Sequence, residues 1–159
     1  MAPPSQSKVS FHFEVPGSIL TNRRSLKKFL PRLFDKEGQK LSSLTYIFTS
    51  DNRLLGINKQ YLKHDFYTDI VSFDLSEPGQ GITGEIYISL DRVRDNAKNL
   101  GFSMADELHR VIFHGALHLC GYKDKTRKEI SLMRAMENKY LALYKRFMWN
   151  ILWFTATIG

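Results

Sequence analysis

A chain of 159 residues is long enough for one substantial core and short for two, and 43% apolar against 25% charged residues is a globular balance. The single cysteine, Cys120, rules out an intramolecular disulfide framework and fits a reducing compartment such as the cytoplasm. A net charge of +7 permits a polyanionic partner without identifying one.

Residues 1–8, rich in Pro, Ser, Gln and Lys, read as a disordered tip with no secretory leader pattern. Val9 to Val15 alternates apolar with polar residues, the period of a half-buried strand, and Pro16-Gly17 ends it. Asn22 to Asp35 places Leu26, Phe29, Leu30, Leu33 and Phe34 along one helical face; Pro31 either kinks that helix or begins a second. Leu41 to Thr49 reads as a second strand. Asp51 or Asn52 can cap a helix that runs through Ile57 to Tyr61. A turn from Asp65 leads into a strand at Ile70–Phe73, Ser76 to Gly84 reads as a loop, and Glu85–Ser89 is a fourth strand. Asp91 to Leu100 is helical, Gly101 breaks it, and Ser103 caps a helix over Met104–Cys120 that is apolar on nearly every face. A last helix runs from Lys128 to Phe147 or beyond. Its apolar continuation to Phe154 is too short to span a bilayer, and packing within the monomer is the default, with Trp149 and Trp153 on a shared face. The pattern predicts one α+β domain over residues 1–159: a mixed sheet of about four strands with packed helices, the 104–120 helix lying across it.

The chemistry concentrates in His114-Gly115-Ala116-Leu117-His118-Leu119-Cys120-Gly121-Tyr122-Lys123-Asp124. Two histidines four apart stack on one helical face, so both imidazoles can reach one ion. Gly121 stops the helix, and Asp124 follows on chain that has turned, so His114, His118 and Asp124 can form three metal ligands with a fourth position open. The competing reading is a pair of hydrogen-bonded core histidines. Gly115 stands where the H-E-x-x-H protease motif needs its glutamate, which argues against peptide hydrolysis. Cys120, two residues after His118, points away from that face and reads as core packing. Basic residues cluster twice, seven over residues 22–40 and eight over residues 122–149. The second cluster begins inside the metal loop, where Lys123, Lys125, Arg127 and Lys128 suit a phosphate backbone or else form a solvated face.

The run His-Gly-x-Leu-His-Leu-x-Gly-Tyr from His114 resembles the signature of the YbeY family of bacterial ribosomal RNA maturation factors. Asn58, Tyr61, Asp65, Thr68-Asp69-Ile70-Val71-Ser72-Phe73 and Gly84-Glu85-Ile86 resemble its upstream blocks, so the likeness covers about residues 50–140. The resemblance implies a metallohydrolase-like α+β fold and a zinc-dependent endoribonuclease specific for single strands, with one Zn(2+) per chain. It also implies ribosomal RNA and the small ribosomal subunit as partners, and neither DNA nor a membrane. Two departures stand out. Asp124 occupies the place of the usual third histidine, an acceptable exchange because two imidazoles and a carboxylate form a catalytic zinc set. Leu62 stands where the family commonly carries an arginine; Lys63 and His64 can supply positive charge from a shifted position. Glu85, matching a family aspartate, is the nominee for general base, with pairing to nearby backbone as the alternative. Asn58, Tyr61, Thr68 and Asp69 are expected to orient neighbouring groups. Tyr122 can stack on a base or simply pack at the helix end. Attack on the phosphodiester by a zinc-bound water or by the neighbouring 2′-hydroxyl both fit, and a mainly structural metal in an RNA-binding assembly factor is the runner-up function.

Overall fold

Apolar periodicity changes from two to 3.6 along the chain, and the elements change with it. The computed structural model describes residues 6–16 and 20–158. Within them, β1 (Val9–Phe13), α1 (Arg23–Lys36), β2 (Leu41–Thr49), α2 (Asp51–Leu62), β3 (Ile70–Asp74), β4 (Ile82–Ser89), α3 (Leu90–Leu100), α4 (Met104–Leu119) and α5 (Arg127–Ile158) follow in order. The sheet order is β1-β2-β4-β3. β1, β2 and β4 run parallel, and β3 is antiparallel to β4. The fold is therefore the expected α+β domain with a four-stranded mixed sheet.

The two faces of the sheet carry different partners because side chains alternate along a strand. On β4, Gly84, Ile86 and Ile88 face α4, and Tyr87 faces a smaller cluster with Leu54 and Ile57 of α2. The α4 face holds the main core, where Phe29 of α1, Phe113 of α4 and Tyr144 of α5 meet as tilted and edge-on rings. Two glycines let α4 sit close to the sheet. A Cβ on Gly84 would lie 2.3 Å from Leu119 Cδ1, and one on Gly115 would lie 2.9 Å from the Cδ1 atoms of Ile70 and Ile86. The buried Tyr46 hydroxyl donates to the Ile112 carbonyl at 2.8 Å and ties β2 to α4.

Several boundaries differ from the sequence reading. β1 stops at Phe13, although the Glu14 amide still bonds the Phe48 carbonyl at 2.9 Å. The expected break at Pro16-Gly17 and the tip at residues 1–8 fall partly outside the described residues. α1 runs unbroken through Pro31, since buried Phe29 and Leu30 before it and Leu33 and Phe34 after it share one face. Ser50, not Asp51 or Asn52, caps α2 by accepting from the Arg53 amide at 3.2 Å. β4 begins at Ile82, inside the expected loop, because the Leu75 amide reaches the Thr83 carbonyl and Ser76 Oγ accepts from the Thr83 amide, extending the β3–β4 pairing. α5 begins at Arg127 behind a capping box: Thr126 Oγ1 accepts from the Glu129 amide, and the Glu129 carboxylate accepts from the Thr126 amide. The tail does not pack as expected. Phe147 still packs on Phe29 and Met148 on the core edge, but Trp149, Leu152, Trp153 and Phe154 are all exposed, because α5 outruns the core after Met148. No helix among the described residues is long and apolar enough to cross a membrane.

Candidate metal centre

Ser103 caps α4 by accepting from the Asp106 amide, and Leu108, Val111, Ile112, Phe113, Ala116 and Leu117 bury the helix in the core. His114 and His118 stand on its remaining face, beside a cleft of about 750 Å³. α4 then ends in a Schellman turn. The Tyr122 amide bonds the Leu117 carbonyl, the Gly121 amide bonds that of His118, and Gly121 takes φ 105°, which a residue with a Cβ adopts only under strain. This reversal carries Asp124 back over the helix.

One Asp124 oxygen lies 3.3 Å from His114 Nε2 and 3.2 Å from His118 Nε2, and the two rings stand 84° apart with centroids 4.5 Å apart. All three donor atoms lie within 4.8 Å of one another. Two ligands held about 2.0–2.1 Å from one tetrahedral ion stand about 3.3–3.4 Å apart, so the spacing of these atoms fits a single small cation. The tautomer fits as well. With the proton on Nδ1, His118 donates to the Tyr122 carbonyl at 2.9 Å and leaves the Nε2 lone pair facing Asp124. The cluster can coordinate a metal.

Behind His114 lies a buried charge network. Its Nδ1 is 3.9 Å from a carboxylate oxygen of Glu137, whose side chain is only 7% exposed. The other Glu137 oxygen is 3.8 Å from Arg110 and 3.6 Å from Arg134. Arg110 in turn lies 3.7 Å from the buried Glu107 and donates to Asn138 at 3.0 Å. Burial alone would hold the His114 pKa down. The Glu137 carboxylate and the further charges of Asp69 and Asp124 outweigh it, and the net shift is upward. Burial pushes the carboxyl pKa of Glu107 up, and that of Asp69 too, although His114 partly offsets the latter.

The structure separates the predicted site residues. His64 and Lys125 line the cleft with His114, His118 and Asp124, as does Leu62. Lys63 caps α2 in the left-handed conformation (φ 55°) and is exposed without lining the cleft. Arg127 and Lys128 are exposed on the first turn of α5. Tyr122 and Lys123 line a separate hollow of about 380 Å³. There the Tyr122 hydroxyl donates to Glu37 at 2.8 Å, and burial together with that bond lifts its pKa to about 12. Tyr122 thus serves the centre through its backbone carbonyl, and its ring is held away from the cleft. Glu85 requires a correction. It alternates with Ile86 and pairs with Phe73 across the strands, so it projects from the sheet face opposite α4, where it accepts a hydrogen bond from the Tyr87 hydroxyl. From that face it does not reach the triad as a general base. Cys120 is half-buried against the core, with burial pushing its thiol up to about 12.

Among the expected orienting residues, the Asn58 side-chain amide donates to the Phe66 carbonyl at 2.9 Å, and Asp69 lines the cleft with Asn96 Nδ2 3.4 Å from its carboxylate. Tyr61 is exposed and packs edge-on to Phe73. Sequence reasoning missed Glu107, Arg110, Arg134 and Glu137. Glu107 and Arg110 lie seven and four residues before His114, so helical spacing alone places them on the histidine face.

A mixed sheet crossed by a helix that presents two imidazoles, with a carboxylate returned over them in a cleft, defines a metallohydrolase-like α+β protein. The family model for "Endoribonuclease YbeY" matches residues 17–145. Proteins named endoribonuclease YbeY from Cytophaga hutchinsonii and Bacteroides thetaiotaomicron are 49% and 45% identical to this chain. The first match covers 79% of this chain and 88% of its relative, the second 76% and 88%. The solution structure of a Thermotoga maritima protein superposes with TM-score 0.58 at 26% identity, covering 86% of this chain and 88% of that one. The chain belongs to the YbeY endoribonuclease family.

Proposed function

We propose that this chain is a metal-dependent endoribonuclease that cuts single-stranded RNA in ribosomal RNA maturation at the small ribosomal subunit in the cytoplasm, with one Zn(2+) held by His114, His118 and Asp124. The observation that carries this reading is the triad itself, with Asp124 at the edge length of a tetrahedral site from both histidines and all three donor atoms within 4.8 Å of one another beside an open cleft. When bound, zinc supplies Lewis acidity that activates an attacking oxygen and offsets charge on the phosphoryl group. The chain's own residues do the rest. The Tyr122 carbonyl fixes the His118 tautomer and Glu137 backs His114. Lys125 and Arg134, both on the cleft wall, offer cationic donors to non-bridging phosphate oxygens. Leu62 in the cleft wall, in place of a family arginine, favours the second reading, an RNA-binding assembly factor with weak cleavage.

The test uses chelated and zinc-reconstituted protein on matched single-stranded and duplex RNA. Cleavage should require metal, prefer the single strand and vanish in H114A. Affinity should fall with salt, and removing Lys125 and Arg127 should reduce the log–log slope by about 0.7 for each phosphate that they neutralise. Metal-independent cleavage by wild type would refute the proposal, and tight binding without cleavage at any metal load would favour the assembly factor.

A further inference from the structure

The segment joining α2 to β3, residues 63–69, is tied down at several points yet presents an uncovered aromatic surface. The buried Asn58 donates to the Phe66 carbonyl at 2.9 Å and accepts the His64 amide on its own carbonyl at 3.2 Å. Lys59 pairs with Asp65 at 3.1 Å, and the Arg92 guanidinium lies 4.9 Å from the Tyr67 ring. These contacts fix the backbone, and they leave Phe66 57% exposed. The His64 ring stacks on the Phe66 ring with centroids 5.0 Å apart and planes 20° apart. Both rings line the cleft that holds the metal triad, and exposed Leu62 and Leu100 continue the apolar rim.

We propose that Phe66, stacked on His64, is the platform on which an unpaired nucleobase of the substrate lies. This rests on the reading of the chain as an enzyme of single-stranded RNA. A phosphate gains nothing from a phenyl ring or a leucine, whereas a base has a π-face of matching shape and polarity. The platform shares one cleft with the triad, so a base on it belongs to the strand whose phosphodiester meets the metal. Inside a duplex both faces of each base are already covered by neighbours, and no such stacking forms without disrupting the helix. A stacking surface at the cleft therefore supplies single-strand preference, a discrimination that the cationic side chains cannot make because both forms carry phosphates.

The experiment is a binding cycle on zinc-loaded protein, read by fluorescence anisotropy. The probes are single-stranded RNA oligonucleotides, 2′-O-methylated to slow cleavage, with one abasic position moved along the strand, plus a matched duplex. F66A should weaken single-strand binding by about 5- to 100-fold and leave duplex binding unchanged. F66W, which keeps a π-face, should bind like wild type, whereas F66L should behave like F66A. One abasic position should weaken wild type but not F66A, because both changes remove the same interaction. Circular dichroism checks that the variants fold. Wild-type affinity in F66A would overturn the inference, as would equal losses for wild type and F66A at every abasic position. If wild type itself fails to bind any single strand, the RNA reading falls and the platform with it.

Discussion

Replacing Glu137 with glutamine removes one negative charge from the wall behind His114 and keeps the side chain's length. The carboxylate is 7% exposed and lies 3.9 Å from His114 Nδ1, 3.8 Å from Arg110 and 3.6 Å from Arg134. A carboxylate on the far nitrogen of a ligating imidazole fixes its orientation and raises its basicity, and losing such a partner weakens metal binding by about 10- to 100-fold. E137Q should therefore raise the zinc dissociation constant by that factor at pH 8. Proton competition gives the prediction a second handle. Glu137 helps hold the His114 pKa above its ordinary value in the metal-free protein, so protons compete with the ion at higher pH in wild type than in E137Q. As pH falls, wild-type affinity should decline first, and the ratio of the two constants should shrink. The same shift has a stability signature. A raised histidine pKa contributes stability to the metal-free fold that is fully present below the unfolded value of about 6.5 and is lost as pH rises through the folded value. E137Q should reduce that contribution, so its loss of metal-free stability should be larger at pH 6 than at pH 8.5. Competition with a chromophoric chelator between pH 6 and 8.5, with melting curves of metal-free protein alongside, checks both. Equal zinc affinity across that range with a lowered melting temperature would refute the reasoning and leave Glu137 a brace for the two arginines.

Asp124 is half exposed, and the start of α5 is already capped by Thr126 and Glu129. D124A should therefore weaken zinc binding by at least about a hundredfold, beyond the usual loss for an outer partner, without lowering the melting temperature in EDTA at pH 8.5, where the Asp124 contribution to the His114 pKa no longer stabilises the metal-free fold. D124H should keep the metal; zinc titrations and melting curves of the three proteins decide. G84A places a Cβ 2.3 Å from Leu119 Cδ1 and should cost about 1–3 kcal/mol by overpacking. Adding L119A should relieve part of that cost, and additive losses in urea titrations of the double mutant would show that the two positions do not touch.

What was legible in the sequence follows the reach of each interaction. The ligand triad was readable because helix pitch and a glycine stop are local: His114, His118, Gly121 and Asp124 span eleven residues. Strand alternation was equally local, and it held the answer for Glu85. Ile86 and Ile88 claim the buried face, so the residue beside them points the other way, and the likeness to a family aspartate drew the assignment toward the wrong face. Tyr122 was not readable. Its partner Glu37 is 85 residues away, and only the folded chain brings α1 beside the turn after α4. The tail was misplaced because an apolar composition shows that surface needs covering and not which surface lies within reach.

The charge network sits between these cases. Glu107, Arg110, His114 and His118 are spaced by three, four and four residues, a polar stripe along a helix whose other faces are apolar. Buried charges are costly unless paired, so such a stripe requires an element of compensating charge across from it. α5 meets that requirement, setting Arg134, Glu137 and Asn138 against Glu107, Arg110 and His114. Asn138 Oδ1 accepts from Arg110 Nη1 at 3.0 Å, while Arg110 Nε faces a Glu107 oxygen at 3.7 Å as an ion pair without a hydrogen bond. The stripe thus predicts a polar seam between α4 and α5, in a core otherwise joined by aromatic rings. A purely apolar α5 face would leave Arg110 and Glu107 to neutralise each other alone, and His114 would lose the carboxylate behind its ring. The same residues that make α4 unusual as a core helix therefore select which helix lies against it, and that choice gives one of the two histidines its orientation.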